Sequence, residues 1–456
     1  MALRADLPAR WLAALGAGAV ALGLLTGVNP TVGISIAFAI AFALLMLNNL
    51  TVGVVLFTVI SFIDVIQLDG KVVSGVKVAG AVLVFSWVAA TVTQGRERRG
   101  DFFKAHPAFV FVIFAFLGWV LLSAAWAESP SVAMSAAGRY ALDACLFPIV
   151  YAAVGRREHV VWIVVAFIAG ALISVAYGLV VPVEIARDSY RLGGAVGEAN
   201  ETATVLIAAV VLSTAVLGFI GRSPALRLAA LGGGVLALAG MFTTLSRAGF
   251  VGLGVALLAG VVVGGRWRGR LAVMAVFVVA GTLIYVFALA GSAAQQHVES
   301  ANTSGRATIW QVAWREVSAH PLVGVGADNF SVSSIHYINL PGAIGQGDDT
   351  IVDQPKVAHN IYLETWADLG LVGLVLLVAI IGFSLRCALR AAQGFKGRDR
   401  QLELMSRMLI VAIIAILAAD FFASNQYSKQ LWLLMALCPT MLALSRRGTT
   451  LASTRS

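Results

Sequence analysis

Apolar positions in this chain come in long unbroken runs, not in the alternation of a strand or the stripe of a soluble helix. Val160–Val181 and Leu271–Ala290 each run about 20 residues without a charge, the length of helix that spans a hydrocarbon core. Such runs, read between polar breaks, predict an all-α, polytopic integral membrane protein with about 14 transmembrane helices. They fall near 11–28, 30–47, 49–66, 78–94, 107–125, 136–154, 160–181, 200–220, 228–245, 248–265, 271–291, 367–385, 408–423 and 430–445. The first run follows Arg4 and Arg10 with no polar cleavage region behind it, so it reads as a retained helix.

One polar segment breaks the rhythm. The expected organisation is helices one to eleven over 1–291, a large outer loop with short helices over 292–366, and the last three helices with a tail over 367–456. Connections this long are usually functional or disordered, and this one is not low in complexity. Thr303 or Ser304 can cap a helix that sets Ile309, Trp310, Ala313, Trp314 and Val317 on one face, suited to lying flat in the membrane interface. That helix should end at His320-Pro321, and a second should begin near His359-Asn360 and run into the span at 367–385. Pro341–Asp349 has the glycine content of a mobile connection.

Charge supports the count. With the N-terminus inside, the inner connections hold clusters such as Arg96, Arg98 and Arg99, then Arg266, Arg268 and Arg270, then Arg446 and Arg447. The outer segments are net acidic, which is the positive-inside pattern, and both termini fall in the cytoplasm. A composition of 59% hydrophobic and 12% charged residues, with a mean hydropathy of +0.90, leaves no soluble alternative. The net charge of +9 is dispersed between spans, so it does not indicate a nucleic-acid partner. Cys145, Cys387 and Cys438 lack paired or metal-ligand spacing and read as small core residues.

Ionisable residues in spans are costly and usually face a cavity. Here they share one depth: Asp64, an Arg139/Asp143 pair at i, i+4, Glu198 and Glu201, Arg247, and Asp420 all lie near outer ends. The inner halves are nearly free of charge. This asymmetry predicts a polar cavity beneath the outer loop, open outward and closed inward. A transporter would need polar groups at mid-membrane, and an inverted-repeat transporter would show an internal repeat.

Three segments carry candidate chemistry. They are Leu245-Ser246-Arg247-Ala248-Gly249-Phe250; Ser304-Gly305-Arg306-Ala307-Thr308-Ile309-Trp310 with His320-Pro321-Leu322-Val323-Gly324-Val325-Gly326; and Ala358-His359-Asn360-Ile361-Tyr362-Leu363-Glu364 leading into Leu369-Gly370-Leu371-Val372-Gly373. In this order, around a long outer loop, the set resembles the O-antigen ligase and polymerase family of bacterial envelope glycosyltransferases. The likeness covers roughly Arg191 to Leu385, and Arg191–Asn200 resembles a further family segment, although Glu198 and Glu201 stand where the family more often has proline and small residues.

The resemblance implies an inverting, metal-independent transfer on the outer face of the bacterial inner membrane. The donor would be a glycan on undecaprenyl diphosphate, the acceptor a hydroxyl of lipid A-core or of another lipid-linked repeat, and no cofactor is implied. Arg247 and Arg306 match the family's diphosphate-binding arginines and His359 its essential histidine, with Arg191 a further phosphate or sugar contact. Guanidinium groups suit the concentrated charge of a departing diphosphate, and a histidine suits proton removal from a hydroxyl. Asp348-Asp349 reads as solvated, not as a metal-binding pair, and His320 as structural. A lipid-linked saccharide flippase and a non-enzymatic assembly scaffold remain as rival classes. A scaffold would leave Arg247, Arg306 and His359 replaceable.

Overall fold

The computed structural model describes the chain apart from residues 1–8, most of 30–42, 64–74, 95–100, 182, 187–188, 196–197, 220–223, 285–305, 339–356 and 454–456. The predicted span at 30–47, Asp64, His297, the Ser304-Gly305 pair, Pro341–Asp349 and Asp353 lie partly or wholly outside the described residues.

The described chain is almost entirely helical. In order it forms α1 (Ala9–Val28), α2 (Leu50–Ile60), α3 (Gly75–Gln94), α4 (Phe102–Ala105), α5 (Pro107–Ser123), α6 (Pro130–Ala153) and α7 (Arg157–Val180). A small antiparallel hairpin follows, β1 (Val183–Ala186) and β2 (Ser189–Arg191), and then α8 (Ala199–Phe219), α9 (Pro224–Thr243), α10 (Arg247–Val263) and α11 (Arg268–Ile284). Beyond the long polar segment come α12 (Arg306–Ala319), α13 (Phe330–Ile338), α14 (Ile361–Phe395), α15 (Arg400–Ala419) and α16 (Lys429–Ser453). Six of these helical stretches are long and apolar enough to cross a membrane: α7, α8, α9, α14, and α11 and α15 each with a flanking 3₁₀ turn. The architecture is that of a polytopic membrane protein. The hairpin is a departure from the all-helical expectation, formed where a short polar connection pairs Val183 with Arg191.

Sequence signals account for the helix starts. Asn49, Asp399 and Asn360 each turn a side-chain oxygen onto the first free amides of α2, α15 and α14, and Pro107 and Pro130 open α5 and α6. Helices α8 and α15 are the most enclosed of these six, packing on each other and on α10. Helix α11 has no buried residue among those described, and its apolar surface suits lipid.

Charged side chains sort to the two ends of this bundle. At one end Arg157 meets Asp399 (3.5 Å), and buried Glu403 is clasped by Arg266 (2.6 Å) and Arg407 (3.1 Å). Those contacts tie together the α6–α7, α10–α11 and α14–α15 connections. The opposite end gathers the motif-bearing segments.

Helix α12 departs from its expected orientation. Its buried face runs through Ile309, Val312, Ala313, Glu316 and Val317, packed against Phe330, Ala358 and Ala367 in a small core of its own. Trp314 lies outside that face, exposed and edge-on to Trp366 (5.7 Å). Docking onto α13 and α14 sets the helix's rotation, so the two tryptophans do not share one buried stripe.

Candidate active site

The arginine turn is built by three segments. Leu245 adopts a left-handed conformation (φ 51°), which reverses the chain, and Ser246 then caps α10 by accepting from the Gly249 amide (3.1 Å). Ser246 Oγ also donates to Asn200 Oδ1 (2.7 Å), and the Leu192 amide donates to the Thr243 carbonyl (3.0 Å). The stretch from Arg191 to Asn200 therefore braces the turn from which Arg247 emerges at the first position of α10. That gives the segment a structural role, and Arg191 ends β2 one residue before the bracing bond.

The glycine motifs form a backbone clamp. The amides of Val325 and Gly326 donate to the carbonyls of Ala367 (3.0 Å) and Asp368 (2.8 Å), and the Leu371 amide donates to Pro321 (2.9 Å). Two main chains can approach this closely only without side chains between them. Gly324 and Gly370 both sit at φ 67°, and a methyl at either would overlap the opposing carbonyl, Asp368 or Leu322. Gly370 breaks α14 at this point, so its first turns belong to the loop end and the rest to the bundle. The outer segment's second motif is thus fastened to the third.

His359 occupies a strained link within this frame. Its φ is 49°, unusual for a residue with a side chain and costing on the order of 1–3 kcal/mol. Both neighbours are pinned. The Ala358 carbonyl accepts from Trp310 Nε1 (2.9 Å) and its amide donates to Glu364 (2.8 Å), while Asn360 caps α14 through the Tyr362 and Leu363 amides (both 3.0 Å).

Two cavities open at this end. The first, about 290 Å³, is lined by Arg247, Val251, Arg306, Ala307, Trp310 and Phe422. It joins the two arginines expected to act together, each at the start of a helix of 14 residues or more, with Trp310 stacked on Phe422 as a wall (6.1 Å). The second, about 270 Å³, is polar and includes Arg139, Glu201, Asp328, Asn425, Gln426 and Lys429. The His359 segment separates them. Val357 and Glu364 line the polar cavity, whereas Trp310, bonded to the carbonyl before His359, lines the arginine cavity.

Arg139 is paired differently from expectation. It forms an ion pair with Asp328 and lies over the Tyr427 ring (4.0 Å), whereas Asp143 is buried beside a smaller cavity reached by Lys77 and Lys429. Asp328 reaches Arg139 because the loop turns left-handed there (φ 58°) and buried Asn329 fixes the next residue through the Ser129 amide (2.8 Å). Asp420 accepts from Asn425 (2.9 Å). Glu364 is buried and accepts from Ser424, Gln426 (2.8 Å) and the Ala358 amide.

Glu316, on α12, is fully buried and accepts from Ser333 Oγ (3.0 Å), with its second oxygen unpartnered. Burial pushes its carboxyl up to about 8, and the nearby Glu128 and Glu364 charges add to the rise. His336 reaches Glu128 (3.1 Å). His320 serves the turn through its main chain, its carbonyl accepting from the Gly324 amide (3.0 Å).

The polar stretch Ser424-Asn425-Gln426-Tyr427-Ser428-Lys429-Gln430 was not among the candidate segments, yet it lines the polar cavity. Its signal is seven successive polar or amphipathic residues between two apolar spans. Among protein-family models, residues 232–378 match O-antigen ligase, a segment containing Arg247, Arg306, both glycine motifs and His359. No curated protein matches the chain. Over those residues, which hold all three candidate segments, the chain is similar to the O-antigen ligase family.

Proposed function

We propose that the protein transfers a glycan from an undecaprenyl diphosphate carrier to a hydroxyl of lipid A-core or a similar acceptor, on the outer face of the bacterial inner membrane. The observation that carries this reading is the meeting of Arg247 and Arg306, from distant parts of the chain, on one cavity. Both stand at the heads of helices, so guanidinium charge and the positive ends of two helix dipoles act on the same anion. In this reading the diphosphate sits there, with the lipid chain against Val251 and the aromatic wall. Arg191 adds a phosphate or sugar contact.

The reaction balances without a metal. The acceptor oxygen attacks the anomeric carbon from the face opposite the diphosphate, and the new C–O bond forms as the old one breaks, which inverts the centre. The bonding pair leaves on the phosphate oxygen, where the two arginines neutralise it. The acceptor proton passes to His359, held between the two cavities by its pinned neighbours. The fourteen-span topology, with cytoplasmic termini and the site outside, completes the proposal.

A polymerase would use the same donor chemistry and differ only in the acceptor. Purified protein given lipid-linked donor and acceptor should transfer glycan in excess EDTA. Activity lost in EDTA and restored by Mg²⁺ would overturn the metal-free mechanism. Loss of the gene should leave finished lipid-linked polymer if the protein is a ligase and lipid-linked single repeats if it is a polymerase. Normal glycans in that strain would refute the transferase reading.

A further inference from the structure

The polar cavity lies on the far side of the His359 segment from the arginines and is not needed to hold a diphosphate. Its walls are assembled from α6, α8, α14, the Asp328 loop and the connection leading into α16, so it is a built feature of the bundle end and not a surface dimple. At about 270 Å³ it is near the lower end of the ~300–1,000 Å³ typical of ligand pockets, room for a terminal sugar but not a lipid tail or a long glycan.

The hydrogen-bond inventory of its walls specifies the ligand. Asn425 spends its amino group on Asp420 (2.9 Å) and Thr204 (3.3 Å), and Gln426 spends its own on Glu364 (2.8 Å). What these side chains still offer is carbonyl oxygen. Gln426 is only 2% exposed, and its Oε1 has no hydrogen-bond partner among the described residues, a costly omission unless a ligand supplies a donor. Arg139 and Lys429 contribute donors, and the charge of Arg139 is balanced by Asp328. Fixed acceptors beside fixed donors, with no net cationic concentration, match a polyhydroxylated ring better than an anion.

We infer that this cavity, defined by Asn425, Gln426 and Lys429, binds the terminal sugar of the acceptor, delivering its hydroxyl to the His359 segment from the side opposite the diphosphate. The inference rests on the transferase reading above and adds to it a second, separate saccharide site. It also explains why His359 stands in a wall and not in either cavity: a group removing the acceptor's proton belongs where the two substrates meet.

Site-specific photocrosslinking in living cells separates the two sites. A benzophenone side chain would replace exposed Val357 in the polar cavity or exposed Val251 in the arginine cavity, and captured glycans would be identified by mass after proteolysis. The expected result is diphosphate-linked glycan at Val251 and saccharide lacking diphosphate at Val357. Donor captured at Val251 with nothing, or only diphosphate-linked glycan, at Val357 would overturn the acceptor site and leave the donor site standing. Capture at neither position would count against the transferase reading and the inference together. In purified protein, Lys429→Met should raise the acceptor KM about 10- to 100-fold, the loss expected for a charged hydrogen bond, with the donor KM unchanged. A change confined to the donor KM would contradict the assignment.

Discussion

Glu316 sets a pH dependence that belongs to one residue. Its carboxyl is raised from the ordinary range to about 8 by burial, so the folded protein holds a proton that the unfolded chain has already released near pH 4.5. Its stabilising contribution is therefore complete below pH 4.5, declines as pH rises toward 8, and is gone above it. The loss amounts to at most about 5 kcal/mol, from 1.36 kcal/mol for each pH unit separating the two values. Thermal unfolding of the detergent-solubilised protein should fall in midpoint from pH 5 to pH 8, and Glu316→Gln should flatten the profile and raise the midpoint at pH 8. A Glu316→Gln profile parallel to wild type would remove this residue as the cause. At this scale the sequence was most informative where chemistry and position coincide: Arg247 and Arg306 stand at helix starts where a lone cation gains nothing from the dipole. It was least informative about partners. Arg139 and Asp328 are far apart in the chain, and nothing local marks their pairing, whereas Asp143 is a helical neighbour and an obvious but incorrect choice. Gln426 escaped notice because an amide in a polar connection looks solvated until its burial is known.

Among the elements, the clamp between Pro321–Gly326 and Ala367–Val372 fastens the segment between α12 and α13 to α14 through main-chain bonds, beside the side-chain bonds Trp366 to Pro321 and Phe330 to Asp368. Gly370→Ala places a methyl against the Leu322 carbonyl in a left-handed conformation and should lower stability by roughly 1–3 kcal/mol or more. Gly382→Ala, on the same helix with open space around it, should be neutral or stabilise by up to about 1 kcal/mol. Fluorescence-detected thermal unfolding of the two variants checks this, and equal midpoints would deny the clamp its role. The helices were legible because a bilayer demands long apolar runs, and six of those described are long and apolar enough to cross one. The β1–β2 hairpin was not, because seven residues of strand leave little periodicity to detect. The rotation of α12 was misread for another reason. Both tryptophans are apolar, but only docking decides which face is covered, and Glu316 lies on the covered one.

For the whole molecule, the positive-inside reading of the basic clusters is a prediction about which end faces the cytoplasm. In a cysteine-free background on intact spheroplasts, a cysteine at Ser318 or Ser292 should react with an impermeant maleimide, and one at Lys396 or Gly100 should be protected. Labelling of the second pair with protection of the first would invert the topology and put the arginine cavity on the wrong side for a translocated lipid-linked glycan. The central claim is a division of labour across the two cavities: arginines bind and neutralise the diphosphate, and His359 removes the acceptor's proton. Donor affinity and single-turnover transfer rate, measured separately on purified variants, test it most directly. His359→Ala should bind lipid-linked donor nearly as wild type while transferring about 10²–10⁴-fold more slowly, the usual range for general-base catalysis. Arg306→Ala should lose donor affinity as well as rate, and Arg306→Lys should recover only part, since a point charge lacks the bidentate fork. Wild-type turnover in His359→Ala, or wild-type donor affinity in Arg306→Ala, would contradict the account.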